Sequence, residues 1–226
     1  MSTLDLTIVE RSGRSTPVSI PVDRVLLAGY TGRDQAKVME HIHELALMGV
    51  APPEHVPMVY VVPGDLATIA SAITVNGAET SGEVEFYLVP SPDGLLVGVA
   101  SDHTDRKEEA VDVAASKALC PKVLSREVWR LADLEDHWDQ IEIRSWVTDG
   151  SGRRLYQEDR VDAFMPVEAI LAEVRKSGHS VEGNIVSGGT LPLLSGFVYG
   201  SRFEGELYDP VLARRLTINY EIRRQS

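Results

Sequence analysis

Apolar and polar residues alternate from Leu4 to Val9, and again across Pro17 to Pro21 after a Ser-Gly-Arg turn at Ser12 to Arg14. This period of two predicts an opening pair of strands. Arg24 to Ala28 is a short apolar strand that runs into the turn Gly29-Tyr30-Thr31-Gly32-Arg33-Asp34, and Asp34 is placed to cap a helix. From Gln35 to Met48 the period lengthens: Val38, Ile42, Leu45 and Met48 mark one helical face, and Gly49 is the expected stop. Pro52, Pro53 and Pro57 make a rigid loop before Met58 to Val62, which reads as a buried strand. Glu83 to Val89 and Leu95 to Ala100 form a hairpin about the Pro92 to Gly94 turn. A helix is expected from about Lys107 to Ala118 and another from Pro166 to Gly178. Between them, Gln140 to Thr148 and Arg154 to Phe164 flank an Asp-Gly-Ser-Gly turn, a second hairpin signal. Gly183 to Arg224 reads as strands broken by glycine turns.

Strands outnumber helices, so the pattern predicts an α+β, β-rich fold with a few flanking helices. A chain of 226 residues buries a proper core, and the absence of repeats, low-complexity segments and linkers favours a single domain over 1–226, residues 1–24 being an extended segment packed on it. The net charge of −12 and the pI near 4.9 oppose binding to phosphate backbones. No stretch has the length of a membrane span, and no basic amphipathic helix points to a membrane surface. Cys120 is the one cysteine, which excludes an intrachain disulfide and fits a cytoplasmic location.

The candidate chemistry is acidic. Glu83 and Glu85 stand two apart in a strand, so they share a face while Val84 and Phe86 point the other way. The hairpin can bring Asp102 back beside them. Such a trio is either a solvated strand face or three oxygen ligands for a hard divalent ion, Mg²⁺ or Mn²⁺ rather than zinc. His41 and Glu44 lie three apart on the first helix: a polar face, or an imidazole made more basic by a carboxylate and able to deprotonate water. Lys117, at a helix end, is a capping charge or a pocket cation, and Arg106 has the same two readings. Ser187-Gly188-Gly189-Thr190 is a turn, or exposed N–H groups beside a hydroxyl that suit a carboxylate. Cys120 is expected to be packing; His55, His103, Asp105 and Trp138 are structural or surface residues by default.

The order of these pieces carries a resemblance. A Gly-Tyr turn and a His-x-x-Glu helix come first. Glu-x-Glu, Asp-x-Thr-x-Arg, Ser-Lys followed by Cys-Pro, and a late Gly-Thr come after. From about Val25 to Tyr220 the chain resembles the fumarylacetoacetate hydrolase superfamily, in a small bacterial branch without an assigned reaction. The resemblance implies a mixed β-sandwich roll, a homodimer, and a small anionic 2-oxo acid as substrate. It implies metal ligation by Glu83, Glu85 and Asp102, substrate holding by Lys117 and Thr190 with Gly189 and Arg106 beside them, and water activation by His41 with Glu44. The reaction it implies first is hydrolysis of a carbon–carbon bond in a 2,4-dioxo acid. Decarboxylation, isomerisation or hydration of a 2-oxo acid is the alternative, and a non-catalytic scaffold the third reading. The chain departs from the pattern in several places. Gly29-Tyr30-Thr31-Gly32 stands for Gly-Asn-Tyr, Gln35 competes with His41 for the histidine position, and Lys122-Val123 replaces a Gly-Pro after Cys-Pro.

Overall fold

A computed structural model describes residues 2–47 and 52–225, without the side chains of His41, Glu44, Leu45 and Leu47. In chain order, β1 (Ser2–Val9), β2 (Ser15–Val22) and β3 (Arg24–Gly29) precede helix α1 (Gln35–Leu47). Then come β4 (Met58–Pro63), β5 (Ala67–Thr68), β6 (Ala72–Val75), β7 (Thr80–Ser81), β8 (Val84–Ser91), β9 (Gly94–Asp102) and β10 (Thr104–Asp105). The short helices α2 (Arg106–Glu109) and α3 (Val113–Ala118) lead to β11 (Lys122–Leu124), β12 (Glu127–Arg130), β13 (Glu142–Asp149) and β14 (Gly152–Arg160). Helix α4 (Val167–Lys176), β15 (Asn184–Thr190), β16 (Arg202–Asp209) and β17 (Arg214–Arg224) complete the chain.

Ten strands form one sheet in the order β2-β1-β12-β9-β8-β15-β3-β4, with β11 pairing to both β9 and β5. One of its faces carries Leu4, Leu6, Ile20, Val25, Leu27, Tyr87, Val89, Leu96, Leu124 and Ile185, which pack into a single cluster. Every buried member of that cluster belongs to this sheet, so the sheet curls around its own side chains. The other face is equally apolar: Leu26, Val84, Phe86, Leu88 and Val186 pack against Ile143, Val147, Phe203, Leu207 and Leu216 of a five-stranded sheet, β14-β13-β16-β17-β6, and against Ile170, Leu171 and Val174 of α4. A central strand covered on both faces reads as a continuous apolar run, which is why β8 and β3 lack a clean polar face. The β-rich roll expected from the sequence is the observed architecture.

Three local readings are corrected. Lys107 to Ala118 is not one helix. The chain breaks after α2, and Asp112 starts α3 by accepting from the Ala115 N–H at 2.9 Å. The strand expected at Met58 to Val62 is not buried, because β4 is the outer strand of its sheet and Val62 is its one buried residue. The run Arg154 to Phe164 stops being strand at Arg160 and turns once as a 3₁₀ helix, Val161–Ala163. The other helix starts follow the sequence. Asp34 accepts from the Ala36 and Lys37 N–H groups at 3.1 and 3.3 Å, and Pro166 opens α4. Gly49, the expected stop of α1, lies outside the described residues.

Candidate metal and substrate site

Strand alternation aims the candidate residues at one place. On β8, Glu85 shares its face with Tyr87 and Val89, the face that lines the inside of the curled sheet. Glu83, two residues earlier, accepts the Asp102 N–H at its backbone carbonyl at 3.0 Å. Asp102 closes β9 on the same inner face as Ala100. The three carboxylates thus converge at one end of the roll, with one oxygen from each within 4.8 Å of the others. Glu85 and Asp102 are buried and Glu83 is partly exposed, so the solvated-face reading does not describe Glu85 or Asp102.

Cations surround the trio. Lys117, from α3, donates to Asp102 Oδ2. Lys122, from β11, lies 2.8 Å from Asp102 Oδ1 and donates to the His103 carbonyl at 2.7 Å. Arg106 lies 3.2 Å from Glu83 and 2.8 Å from Glu109, and its Nε donates to Ser81 Oγ at 2.7 Å. Its guanidinium sits 4.6 Å over the Phe197 ring. Tyr60 faces Lys117, with Nζ 5.9 Å from its ring centroid. Its neighbour Tyr30 holds a left-handed backbone, φ 60°, at the Gly-Tyr turn. Ser187 donates its hydroxyl to Glu85 Oε2.

These contacts set the charges. Burial, and the nearby Asp102 charge, push Glu85 up to about 8. Burial also raises Glu83 and outweighs Arg106 and Lys117, which pull it down. For Asp102 burial acts upward, yet Lys117 and Lys122 overcome it and hold the carboxyl well below its ordinary range. Burial alone would lower Lys117; Asp102 and Glu83 instead raise it far above an ordinary lysine. Arg106 is raised likewise by Glu83 and Glu109 against the cost of burial. Ionised Glu85 is therefore unfavourable in the site as it stands, which is the condition a bound cation relieves. Three hard oxygen donors at this spacing fit a Mg²⁺- or Mn²⁺-type ion, and among the described residues no thiolate or imidazole joins them to make a zinc set.

The remaining candidates divide. Thr190, partly exposed on β15, donates to the Val84 carbonyl at 3.0 Å and accepts from Gln157 Nε2 at 2.8 Å. Gly188 and Gly189 do not leave N–H groups open to solvent: both are buried inside the strand. A Cβ on Gly188 would lie 2.1 Å from the Phe86 ring, and Gly189, at φ +96°, is packed against Thr31. Gln35 donates to the Gly32 carbonyl at 2.6 Å on an exposed helix end. His41 and Glu44 lie on α1, with their side chains outside the description. Cys120 is buried packing as expected, and Trp138 packs edge-on against Phe86 at 5.3 Å. His103 is buried, with Nδ1 2.9 Å from the Tyr220 hydroxyl, and Asp105 caps α2. The sequence reading missed Lys122 and Ser187 as partners of the acids. The signal was register: Lys122 pairs directly with Asp102 across β11 and β9.

The curled mixed sheet is the fold of fumarylacetoacetate hydrolase family proteins, as superposition on solved structures shows. Cg1458, determined with an inhibitor, superposes with a TM-score of 0.68 at 15% identity, over 99% of this chain and 90% of that one. The 2-keto-3-deoxy-D-arabinonate dehydratase complexed with magnesium and 2,5-dioxopentanoate gives 0.63 at 14%, over 91% and 74%. Yeast ynq8, a fumarylacetoacetate hydrolase family protein, gives 0.63 at 16%, over 90% and 94%. At these identities the likeness is one of fold. By sequence the chain belongs to the protein family of unknown function DUF2848, which it matches over residues 28–220. No curated protein matches it. Among the described residues, no helix is long and apolar enough to cross a membrane.

Proposed function

We propose that this protein is a Mg²⁺- or Mn²⁺-dependent enzyme acting on a small 2-oxo acid. The observation that carries the reading is the convergence of Glu83, Glu85 and Asp102 with the ammonium of Lys117 already among them. The three carboxylates are the residues that would hold the ion. When bound, it would supply a Lewis acid that withdraws charge from a 2-oxo acid.

The chain's own groups account for the rest. Lys117 and Arg106 are the cations an anionic substrate would meet, and each is held by a carboxylate until then. Lys117 takes the substrate carboxylate or the developing enolate oxygen, and Thr190 would give its hydroxyl to the substrate by turning it from the Val84 carbonyl, which it bonds in the free protein. In the hydrolytic form of the reaction, His41, oriented by Glu44, takes a proton from water, and the water oxygen bonds to the distal carbonyl carbon of a 2,4-dioxo acid. The carbon–carbon bond beside that carbonyl then breaks, its electron pair leaves with the 2-oxo acid fragment as an enolate, and the proton on His41 is returned to that fragment. Tyr60, with its ring centroid 5.9 Å from the Lys117 ammonium, covers that side of the site.

A second reading has its own support. The fold neighbour crystallised with magnesium and 2,5-dioxopentanoate is a dehydratase, and water loss or addition needs no cleavage of a carbon–carbon bond. The site residues are shared by both readings, and only the use of His41 differs. The test is a panel of 2-oxo and 2,4-dioxo acids with Mg²⁺ or Mn²⁺, scored separately for pyruvate release, carbon dioxide release and loss or gain of water. Activity that needs the metal and disappears in Glu85→Gln supports the reading. Metal-independent turnover, or none with any 2-oxo acid, overturns it. A fold of this family is also met as a homodimer by analogy, and sedimentation would test that assembly here.

A further inference from the structure

Lys122 is the least expected charge in the molecule. It is 1% exposed, and it sits on a strand where its cross-strand partner is Asp102. Antiparallel partners point to the same side of a sheet, so backbone register alone brings the ammonium to the carboxylate. Its Nζ meets Asp102 Oδ1 at 2.8 Å and donates to the His103 carbonyl at 2.7 Å. Behind it lies a cavity of about 10 Å³, the size of one water, lined in part by Ser101, Ser187 and Tyr87. One carboxylate thus carries two ammonium groups, and a single one would neutralise it. The two are mounted differently. Lys117 stands on the six-residue helix α3 with its side chain 10% exposed; Lys122 is locked in the sheet with its side chain 2% exposed.

We infer that Lys122 is a fixed counter-ion and positioning residue: it pins Asp102 by Oδ1, so that the carboxylate stays placed for a divalent ion when Lys117, now on Oδ2, turns to the substrate. The inference rests on the metal-dependent reading above. Its consequence is a charge setting. With every group ionised, as a loaded site requires, Glu83, Glu85, Asp102 and Glu109 face Lys117, Lys122 and Arg106, four carboxylates against three cations, a sum of one negative charge. A divalent ion converts this to one net positive charge, the complement of a singly charged 2-oxo acid. Without Lys122 the loaded site would be neutral. The residue therefore restrains binding of the bare ion and strengthens capture of a monoanion once the ion is present.

The test uses Mn²⁺ followed by electron paramagnetic resonance, and oxamate as a monoanionic 2-oxo acid mimic. In Lys122→Met and Lys122→Gln the affinity for Mn²⁺ alone should rise about tenfold, and oxamate affinity for the Mn²⁺-loaded protein should fall about tenfold, as expected for removing one unit charge from a buried site. Loss of packing alone would not move the two affinities in opposite directions. Unchanged affinities, or a fall in both, overturn the inference. Should neither variant fold, ¹⁵N-lysine-labelled wild-type protein decides the matter with Mg²⁺ and oxamate. The Lys117 ammonium signal should shift while that of Lys122 stays in place, and movement of Lys122 equal to or larger than that of Lys117 overturns the proposal. Wild-type protein that takes up no Mn²⁺ at millimolar concentration overturns the metal-dependent reading itself; normal wild-type uptake with unaltered variants overturns only the role of Lys122.

Discussion

Replacing Asp102 with Asn removes the anion held between two buried ammonium groups. Asp102 is 2% exposed, Lys122 1% and Lys117 8%, so none of the three reaches bulk water to compensate. At the 2.8 Å separation of Lys122 Nζ and Asp102 Oδ1, Coulomb attraction at an effective dielectric of 20 is roughly 6 kcal/mol before desolvation is counted. Breaking one partner of a buried pair costs about 3–5 kcal/mol in practice. The asparagine retains one oxygen for one lysine, which places the expected loss toward the lower end. A loss of about 3 kcal/mol lowers the melting temperature of a chain this size by roughly 6–12 °C. Urea denaturation and calorimetry on metal-free protein measure it. The same samples with Mg²⁺ give the functional half of the result: at a concentration of about one hundred times Kd, wild-type protein gains about 2.7 kcal/mol, and Asp102→Asn gains far less. An Asp102→Asn protein within about 1 kcal/mol of wild type would show that the lysine pair does not depend on this carboxylate. An undiminished response to Mg²⁺ would remove Asp102 from the ligand set.

Three further outcomes are expected. Gly188→Ala should destabilise the fold by about 1–3 kcal/mol in urea, because its methyl would meet the Phe86 ring, itself wedged edge-on between Trp138 and Phe164; a neutral result would mean the strand can slide. The Cys120 thiol is 1% exposed and burial pushes it up to about 11, so labelling by a disulfide reagent at pH 8 should be very slow in folded protein and immediate in urea; fast native labelling contradicts the packing. Burial raises Asp209, but the Leu212 N–H, His137 and Arg214 together pull it below its ordinary 3.8. A depressed carboxyl contributes stability above its unfolded value and loses it as pH falls through the folded one, so wild type should lose stability below about pH 4 more steeply than Asp209→Asn. Parallel acid limbs in the two proteins would refute that.

Much of the site was legible because strand chemistry is local. Two residues apart means one face, so Glu83 and Glu85 had to point together, and the Pro92 to Gly94 turn set the hairpin that returns Asp102. Helix starts at Asp34 and Pro166 were readable for the same reason, since a capping group acts within its own turn. The glycine pair was read as a turn or as exposed N–H groups because sequence alone does not reveal the Phe86 ring that fills the space above Gly188. Met58 to Val62 looked interior from its hydrophobicity, but whether a strand is central or outermost depends on partners far away in the chain.

By itself, the sequence determined the alternation, the turns and the types of group available: three carboxylates, a lysine near a helix end, an acidic surface that repels phosphate. Those are properties of neighbours a few residues apart. Which carboxylate is buried, which cation meets it and whether Glu85 resists ionisation were decided only when the sheet curled. Closing the roll took Glu85 and Asp102 out of water and laid Lys122 beside Asp102 by register. Burial strengthens every charge interaction it encloses, so the site's electrostatics belong to the tertiary structure rather than to any segment of the chain.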